Sequence, residues 1–302
     1  MRPEIATLLE ALAREAFVAD RATATALHLA RTLHKPLLVE GHPGTGKTEL
    51  ARVLARVLGT DLVRLQCYEG LDAASALYEW NYPRQLLHLK AQEGSGLDAS
   101  AREESLFTER FLLKRPLLDA ITRPERAPVL LIDEIDRSDE EFEAFLLEVL
   151  ADFQVSIPEL GTVRATHPPV VVLTSNRTRE LSEALRRRCL YLWVPYPDFA
   201  RELAIVHARV PEAAAALATE VTRVVQGIRH LALAKVPGVA ETLDWARALV
   251  TLGAGAVDDE LLRETAGVLL KDEGDLRVLA SALDRGGVAA LAASGATAAP
   301  AT

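Results

Sequence analysis

Short, almost wholly apolar runs punctuate the first two thirds of the chain: PLLVE at 36–40, LVRLQ at 62–66, VLLID at 129–133, VVVLT at 170–174 and LYLWV at 190–194. A strand with one wet face alternates apolar and polar side chains, whereas these runs suit strands covered on both faces, as in a parallel sheet flanked by helices. Helical periodicity fills the intervals. Two amphipathic helices are predicted at 5–17 and 21–33, ahead of the first run. The stretch 48–58 sets Leu50, Val53, Leu54, Val57 and Leu58 on one stripe and stops at Gly59, a residue suited to a helix C-terminus. Ser138 with Glu141 reads as a capping box ahead of the helix FEAFLLEVL.

After VPYP at 194–197 the strand signal ends, and the pattern to about residue 288 predicts four or five Ala- and Leu-rich helices, broken by PGV at 237–239. The expected organisation is an α/β domain over 1–197, with an insert at about 69–116, then a helical domain over 198–288. A small-residue tail at 289–302 is expected to fray. The insert includes EGSG at 93–96, a loop signal.

Composition narrows the class. The 302 residues are 49% hydrophobic and 25% charged, enough interior for one large or two modest cores. Cys67 and Cys189 stand far apart in no metal or redox spacing, so the expectation is a reducing compartment, and Cys189 reads as a buried small hydrophobe. No apolar run approaches the roughly 18 residues of a membrane span. With an acidic, amphipathic N-terminus, this predicts a soluble, cytoplasmic protein. A formal net charge of -9 argues against a nucleic-acid partner.

Two motifs carry chemistry. GHPGTGKT, comprising Gly41, His42, Pro43, Gly44, Thr45, Gly46, Lys47 and Thr48, fits GxxxxGK[ST] with a strand before it and a helix after it. Glycines let backbone N–H groups converge on phosphate oxygens, and the helix N-terminus, with Glu49 in its first turn, adds partial positive charge. Lys47 is expected to reach the β- and γ-phosphates, and the Thr48 hydroxyl to bind Mg²⁺. In VLLIDE a buried strand delivers Asp133 and Glu134 at its C-terminal end, the edge where open α/β sheets take ligands. Asp133 is expected to support Mg²⁺ and Glu134 to orient and polarise a water.

GHPGTGKT, LLIDEIDRSD, VVVLTSN and LSEALRRRC, in this order, resemble the successive motifs of AAA+ ATPases over roughly residues 20–290. LLIDEIDR is similar to the DEINR signature of MoxR proteins, with Asp136 where the family has Asn. TSNRTRELSEALRRRCLYLWVPYP resembles the subgroup that works beside von Willebrand factor A-like proteins in metalloenzyme maturation, of the carbon monoxide dehydrogenase type. The resemblance implies a five-stranded parallel sheet of order 5-1-4-3-2, ATP and Mg²⁺ as cofactors, a helical lid and a homo-hexameric ring. It also implies a von Willebrand factor A-like partner and a client enzyme.

By the same resemblance Asn176 matches the residue that bonds the attacking water or γ-phosphate. One of Arg186, Arg187 and Arg188, with Arg188 closest to the family position, matches the arginine finger supplied to a neighbouring subunit. At the start of the lid helix, where relatives carry an arginine, this chain has Ala240 and Glu241, and Arg247 lies too far along to replace it. Tyr78, Trp80 and Tyr82 form an aromatic cluster that either grips a partner peptide or packs the insert onto the core. FQVSIPELGTVRA at 153–165 is expected to form a hairpin. A nucleic-acid motor and a nucleotide-gated scaffold with little turnover are the alternative readings of the same nucleotide motifs.

Overall fold

The computed structural model describes residues 2–92 and 105–296. The first part of the chain contains α1 (Pro3–Arg14), α2 (Arg21–Leu33), β1 (Leu37–Gly41), α3 (Lys47–Leu58) and β2 (Leu62–Gln66). The insert follows with α4 (Ala73–Leu77), β3 (Tyr78–Trp80), α5 (Tyr82–Ala91), β4 (Leu112–Lys114) and α6 (Pro116–Ile121). Next come β5 (Val129–Asp133), α7 (Glu140–Asp152), β6 (Gln154–Ile157), β7 (Gly161–Arg164), β8 (Val170–Ser175), α8 (Glu183–Arg188) and β9 (Leu190–Val194). The remainder is helical: α9 (Phe199–Arg209), α10 (Ala215–Ile228), α11 (Val239–Thr251), α12 (Asp259–Leu269) and α13 (Glu273–Ala296).

All five apolar runs are strands of one parallel sheet, in the order β2-β5-β8-β1-β9. Counted as five core strands along the chain, this is 2-3-4-1-5, the expected order read from the other edge. The register pairs Gln66 with Asp133, Ile132 with Leu173 and Glu40 with Ser175, so the C-terminal ends of β2, β5, β8 and β1 share one edge. Strands β1 and β5 are buried throughout, which is why their sequences show no alternation.

Two compact units divide the chain, one of Thr25–Glu40 and Ala51–Leu192, the other of Met1–Ala24, Gly41–Leu50 and Trp193–Thr302. In the sheet-bearing unit, Leu38, Leu130, Ile132 and Leu173 of the sheet pack with Leu146 and Val149 of α7 and with the insert's Phe111 and Leu117. Trp80 is buried and meets Phe107 edge-on at 5.3 Å and Tyr78 at 6.1 Å, so two members of the aromatic cluster pack the insert. Tyr82, 65% exposed, is the member left at the surface. The hairpin expected at 153–165 forms as antiparallel β6 and β7, turning at 158–160 and entering β7 through Gly161 with φ 81°. EGSG at 93–96 lies outside the described residues.

The cap of α7 differs from expectation. Asp139 is the N-cap, its Oδ1 accepting from Phe142 N at 2.8 Å, while the Ser138 hydroxyl donates to Ile135 O at 2.8 Å. A tight turn at Ile135–Arg137 takes up Ser138, and the stronger carboxylate acceptor one residue later receives the helix.

In the other unit, α9 to α13 close on a core that includes Val221, Val225, Ile228, Leu249, Leu262 and the fully buried Trp245, whose Nε1 donates to Thr265 Oγ1 at 2.8 Å. Residues 289–296, where a fraying tail is expected, are helical beyond a kink at Gly287 (φ 67°), and residues 297–302 lie outside the described residues. Small residues make this possible. A Cβ on Gly227 would collide with Leu291 O, and one on Gly295 with Arg223 O, so α13 and α10 approach at backbone distance. Among the described residues, no helix is long and apolar enough to cross a membrane.

Candidate functional site

The chain leaves the buried end of β1 through Gly41, which lies so close to Val194 O that a Cβ has no room. Gly44 (φ 74°) and Gly46 (φ 90°) take the left-handed backbone that lets the loop reverse before α3 starts at Lys47. A Cβ built on Gly46 meets nothing within 4 Å, so the loop is uncovered at this position. Lys47 Nζ donates to Gly41 O at 2.8 Å and His42 O at 2.7 Å, and Thr45 Oγ1 donates to His42 O at 2.9 Å. An open, glycine-turned cradle with a lysine held at its rim at the N-terminus of a helix fits a polyphosphate.

Within the same unit, the loop is held from the helical side. Val239 N and Ala240 N, at the start of α11, donate to Gly44 O at 3.0 and 3.2 Å. His42 stacks on Tyr196 with centroids 4.7 Å apart and meets Trp193 edge-on at 5.6 Å. Glu49 pairs with Arg209 at 3.1 Å.

The carboxylates belong to the sheet-bearing unit. Asp133 is 2% exposed; its Oδ1 accepts from Thr174 Oγ1 at 2.6 Å and its Oδ2 from Arg64 at 2.6 and 3.0 Å. A magnesium ion served by Asp133 would share that carboxylate with Arg64. Glu134 adopts left-handed backbone (φ 57°, ψ 50°), which costs a residue with a Cβ on the order of 1 kcal/mol or more. Its N–H is fastened to Thr174 Oγ1 at 2.9 Å, and its Oε2 lies 3.0 Å from Gln66 Nε2 and 3.1 Å from Arg137 Nε. The Glu134 carboxylate thereby stands between two donors.

Asn176 follows β8 directly, and its N–H donates to Asp136 Oδ2 at 3.2 Å. The same oxygen accepts from Thr178 N at 2.9 Å and Thr178 Oγ1 at 2.7 Å, so Asp136 ties the turn after β5 to the loop after β8. Arg186, Arg187 and Arg188 are exposed on α8. Arg187 pairs with Glu183 at 2.5 Å, and Arg188 Nη1 lies 3.5 Å from Leu147 O. Burial pushes the Cys189 thiol up to about 12, and burial with the nearby carboxylates of Asp133, Asp136 and Glu134 does the same to Cys67, so neither is poised as a nucleophile.

Arg64, Gln66, Thr174 and Tyr196 were not singled out by sequence. Arg64 left one signal, a charge in the middle of an otherwise apolar strand.

The family model of the AAA domain (dynein-related subfamily) matches residues 36–189. Uncharacterized proteins of Staphylococcus aureus strains bovine RF122 and USA300 are 29% and 28% identical over 173 residues, 55% of this chain and 57% of theirs. The chain therefore spans just over half the length of these curated relatives. In fold it is similar to a mutant of Thermotoga maritima RuvB, at 22% identity and a TM-score of 0.50, over 97% of this chain and 81% of that one. The family match takes in the phosphate loop, both carboxylates, Asn176 and the three arginines, and it covers half of the sequence: the chain belongs to the AAA domain family, dynein-related subfamily.

Proposed function

We propose that the chain is a MoxR-type AAA+ ATPase that hydrolyses Mg·ATP to remodel a client protein. Loop 41–48 binds the triphosphate, with Lys47 exchanging its carbonyl partners for phosphate oxygens and Glu49 in the first turn of the receiving helix. Bound Mg²⁺, served by Thr48 and Asp133, neutralises charge on the β- and γ-oxygens. Glu134 orients and polarises the attacking water, Asn176 supports it, and Arg188 or Arg187 of a neighbouring subunit adds positive charge as the phosphoryl group departs. A ring of six supplies that arginine in trans. By resemblance of LLIDEIDR and of residues 174–197, the client is a metalloenzyme reached through a von Willebrand factor A-like partner.

One observation carries the hydrolytic part of this reading: Glu134 stands on a strained backbone at the ligand-binding edge of a parallel sheet, its carboxylate held between Gln66 and Arg137. Glu134→Gln is expected to reduce ATP turnover by about 100-fold or more while leaving Mg·ATP affinity unchanged, and Lys47→Ala to abolish binding. Wild-type protein that binds Mg·ATP without measurable turnover would make it a nucleotide-gated scaffold, and salt-sensitive stimulation by DNA would make it a nucleic-acid motor. Co-purification with a von Willebrand factor A-like protein tests the partner.

A further inference from the structure

The phosphate loop and the helices of its unit are joined twice, and one buried guanidinium touches both joints. The first joint is backbone on backbone. A Cβ on Gly238 would lie 2.8 Å from both Gly44 Cα and Pro43 O, so only glycine allows α11 to bring the N–H groups of Val239 and Ala240 onto Gly44 O. Glu241 Oε2 is folded back onto Gly238 N at 2.9 Å and closes the start of this helix. The second joint is the stack of His42 on Tyr196, with the rings within 5° of parallel.

Arg229 reaches each of them. Its Cζ lies 5.0 Å from the centre of the Tyr196 ring, and its Nε donates to Pro237 O at 2.8 Å, the carbonyl that leads into Gly238. It is held there by Glu202, which accepts from Nη1 and Nη2 at 2.6 Å each and is itself fully buried, with Gln226 Nε2 at 2.6 Å and Thr242 Oγ1 at 2.7 Å as its other donors. A planar guanidinium locked by a bidentate carboxylate is a rigid strut, because it offers one ring-facing surface and an in-plane donor at a defined angle.

We propose that Arg229 is a positioning residue that holds loop 41–46 against α11, acting through Tyr196 on His42 and through Pro237 on Gly44. A shift of the loop on filling is then passed to the helices through ring and backbone contacts. The consequence for turnover rests on the ATPase reading; the strut itself does not.

The test is amide exchange at Val239 and Ala240 in full-length protein without nucleotide, in wild type, Tyr196→Ala, Tyr196→Phe, His42→Ala and Arg229→Lys. The lysine keeps a charge for Glu202 without the planar fork, so Arg229→Lys is expected to exchange as fast as Tyr196→Ala, and wild-type rates in it overturn the proposal. Loss of an aromatic contact is expected to speed exchange at these two amides about tenfold in Tyr196→Ala and His42→Ala, while amides of α12 keep their wild-type rates and Tyr196→Phe behaves as wild type. In turnover assays Tyr196→Ala is expected to raise KM for Mg·ATP with kcat retained, since the strut positions the loop and touches no reacting atom. Exchange at both amides within twofold of wild type in Tyr196→Ala and His42→Ala, or equal acceleration in α12, overturns the proposal. Failure of wild type to bind Mg·ATP would remove the ATPase reading while the exchange result still decides this one.

Discussion

Arg64 and Asp133, on neighbouring strands, are joined by two hydrogen bonds from Nε and Nη2 to the same carboxylate oxygen, at 3.0 and 2.6 Å. The carboxylate is 2% exposed and the guanidinium 43% exposed, so the arginine carries charge from the solvent side to a buried acid at the ligand edge of the sheet. Removing it takes both arginine donors from the buried acid. Arg64→Ala is expected to lower stability by about 1–2 kcal/mol, less than a fully buried pair would lose because water screens the exposed arginine. Urea unfolding of the two proteins measures the difference. A loss below about 0.5 kcal/mol would mean that the contact is a solvated surface pair.

Gln66 holds Glu134 by a single hydrogen bond at 3.0 Å, to the oxygen that also faces Arg137. Releasing a carboxylate from a neutral donor frees it to accept from water at a cost of about 1 kcal/mol. Gln66→Ala is therefore expected to raise unstimulated ATP turnover about two- to tenfold with Mg·ATP affinity unchanged. Steady-state rates and calorimetric binding check the two halves separately.

Asp136, 3% exposed, gathers three donors from the loop after β8 on one oxygen. Asp136→Ala removes the shared acceptor of three part-buried donors, two of them on the exposed Thr178, and is expected to cost about 1–2 kcal/mol. Asp136→Asn keeps an oxygen for them and is expected to cost less than about 1 kcal/mol. Thermal or urea unfolding of both variants tests the pair, and equal losses would contradict the assignment.

Gly227 is a helical glycine, where alanine ordinarily adds up to about 1 kcal/mol of stability. Here a methyl would collide with Leu291 O across the contact with α13. Gly227→Ala is thus expected to destabilise by about 1–3 kcal/mol, the opposite sign. A stabilised variant in urea unfolding would show that the two helices are free to separate.

Local signals were legible where chemistry is local. The phosphate loop needs glycines, a lysine and a hydroxyl within eight positions, and β1, β5 and β8 announce themselves because they bury both faces, whereas the edge strands β2 and β9 read as apolar although one face of each is left partly open. The order of the strands came from family resemblance and agrees with the observed sheet. The cap of α7 was misplaced by one residue because two good acceptors, Ser138 and Asp139, are adjacent, and the turn that precedes the helix selects between them. The end of the chain looked featureless because it lacks large side chains, and that lack is what lets α13 approach α10.

The sequence alone determined the α/β class, the phosphate loop at 41–48, the paired acids at 133 and 134 and the helical remainder, since each depends on contiguous residues and a strand or helix period. Only the tertiary structure decided that Arg64 and Gln66 serve the acids 68 and 69 positions away, that Asp136 braces the loop bearing Asn176, and that Arg229 stands behind Tyr196 and His42. These partners are single polar or aromatic side chains with no periodicity of their own. Their pairing follows from sheet register and helix packing, so it exists only once the chain has folded.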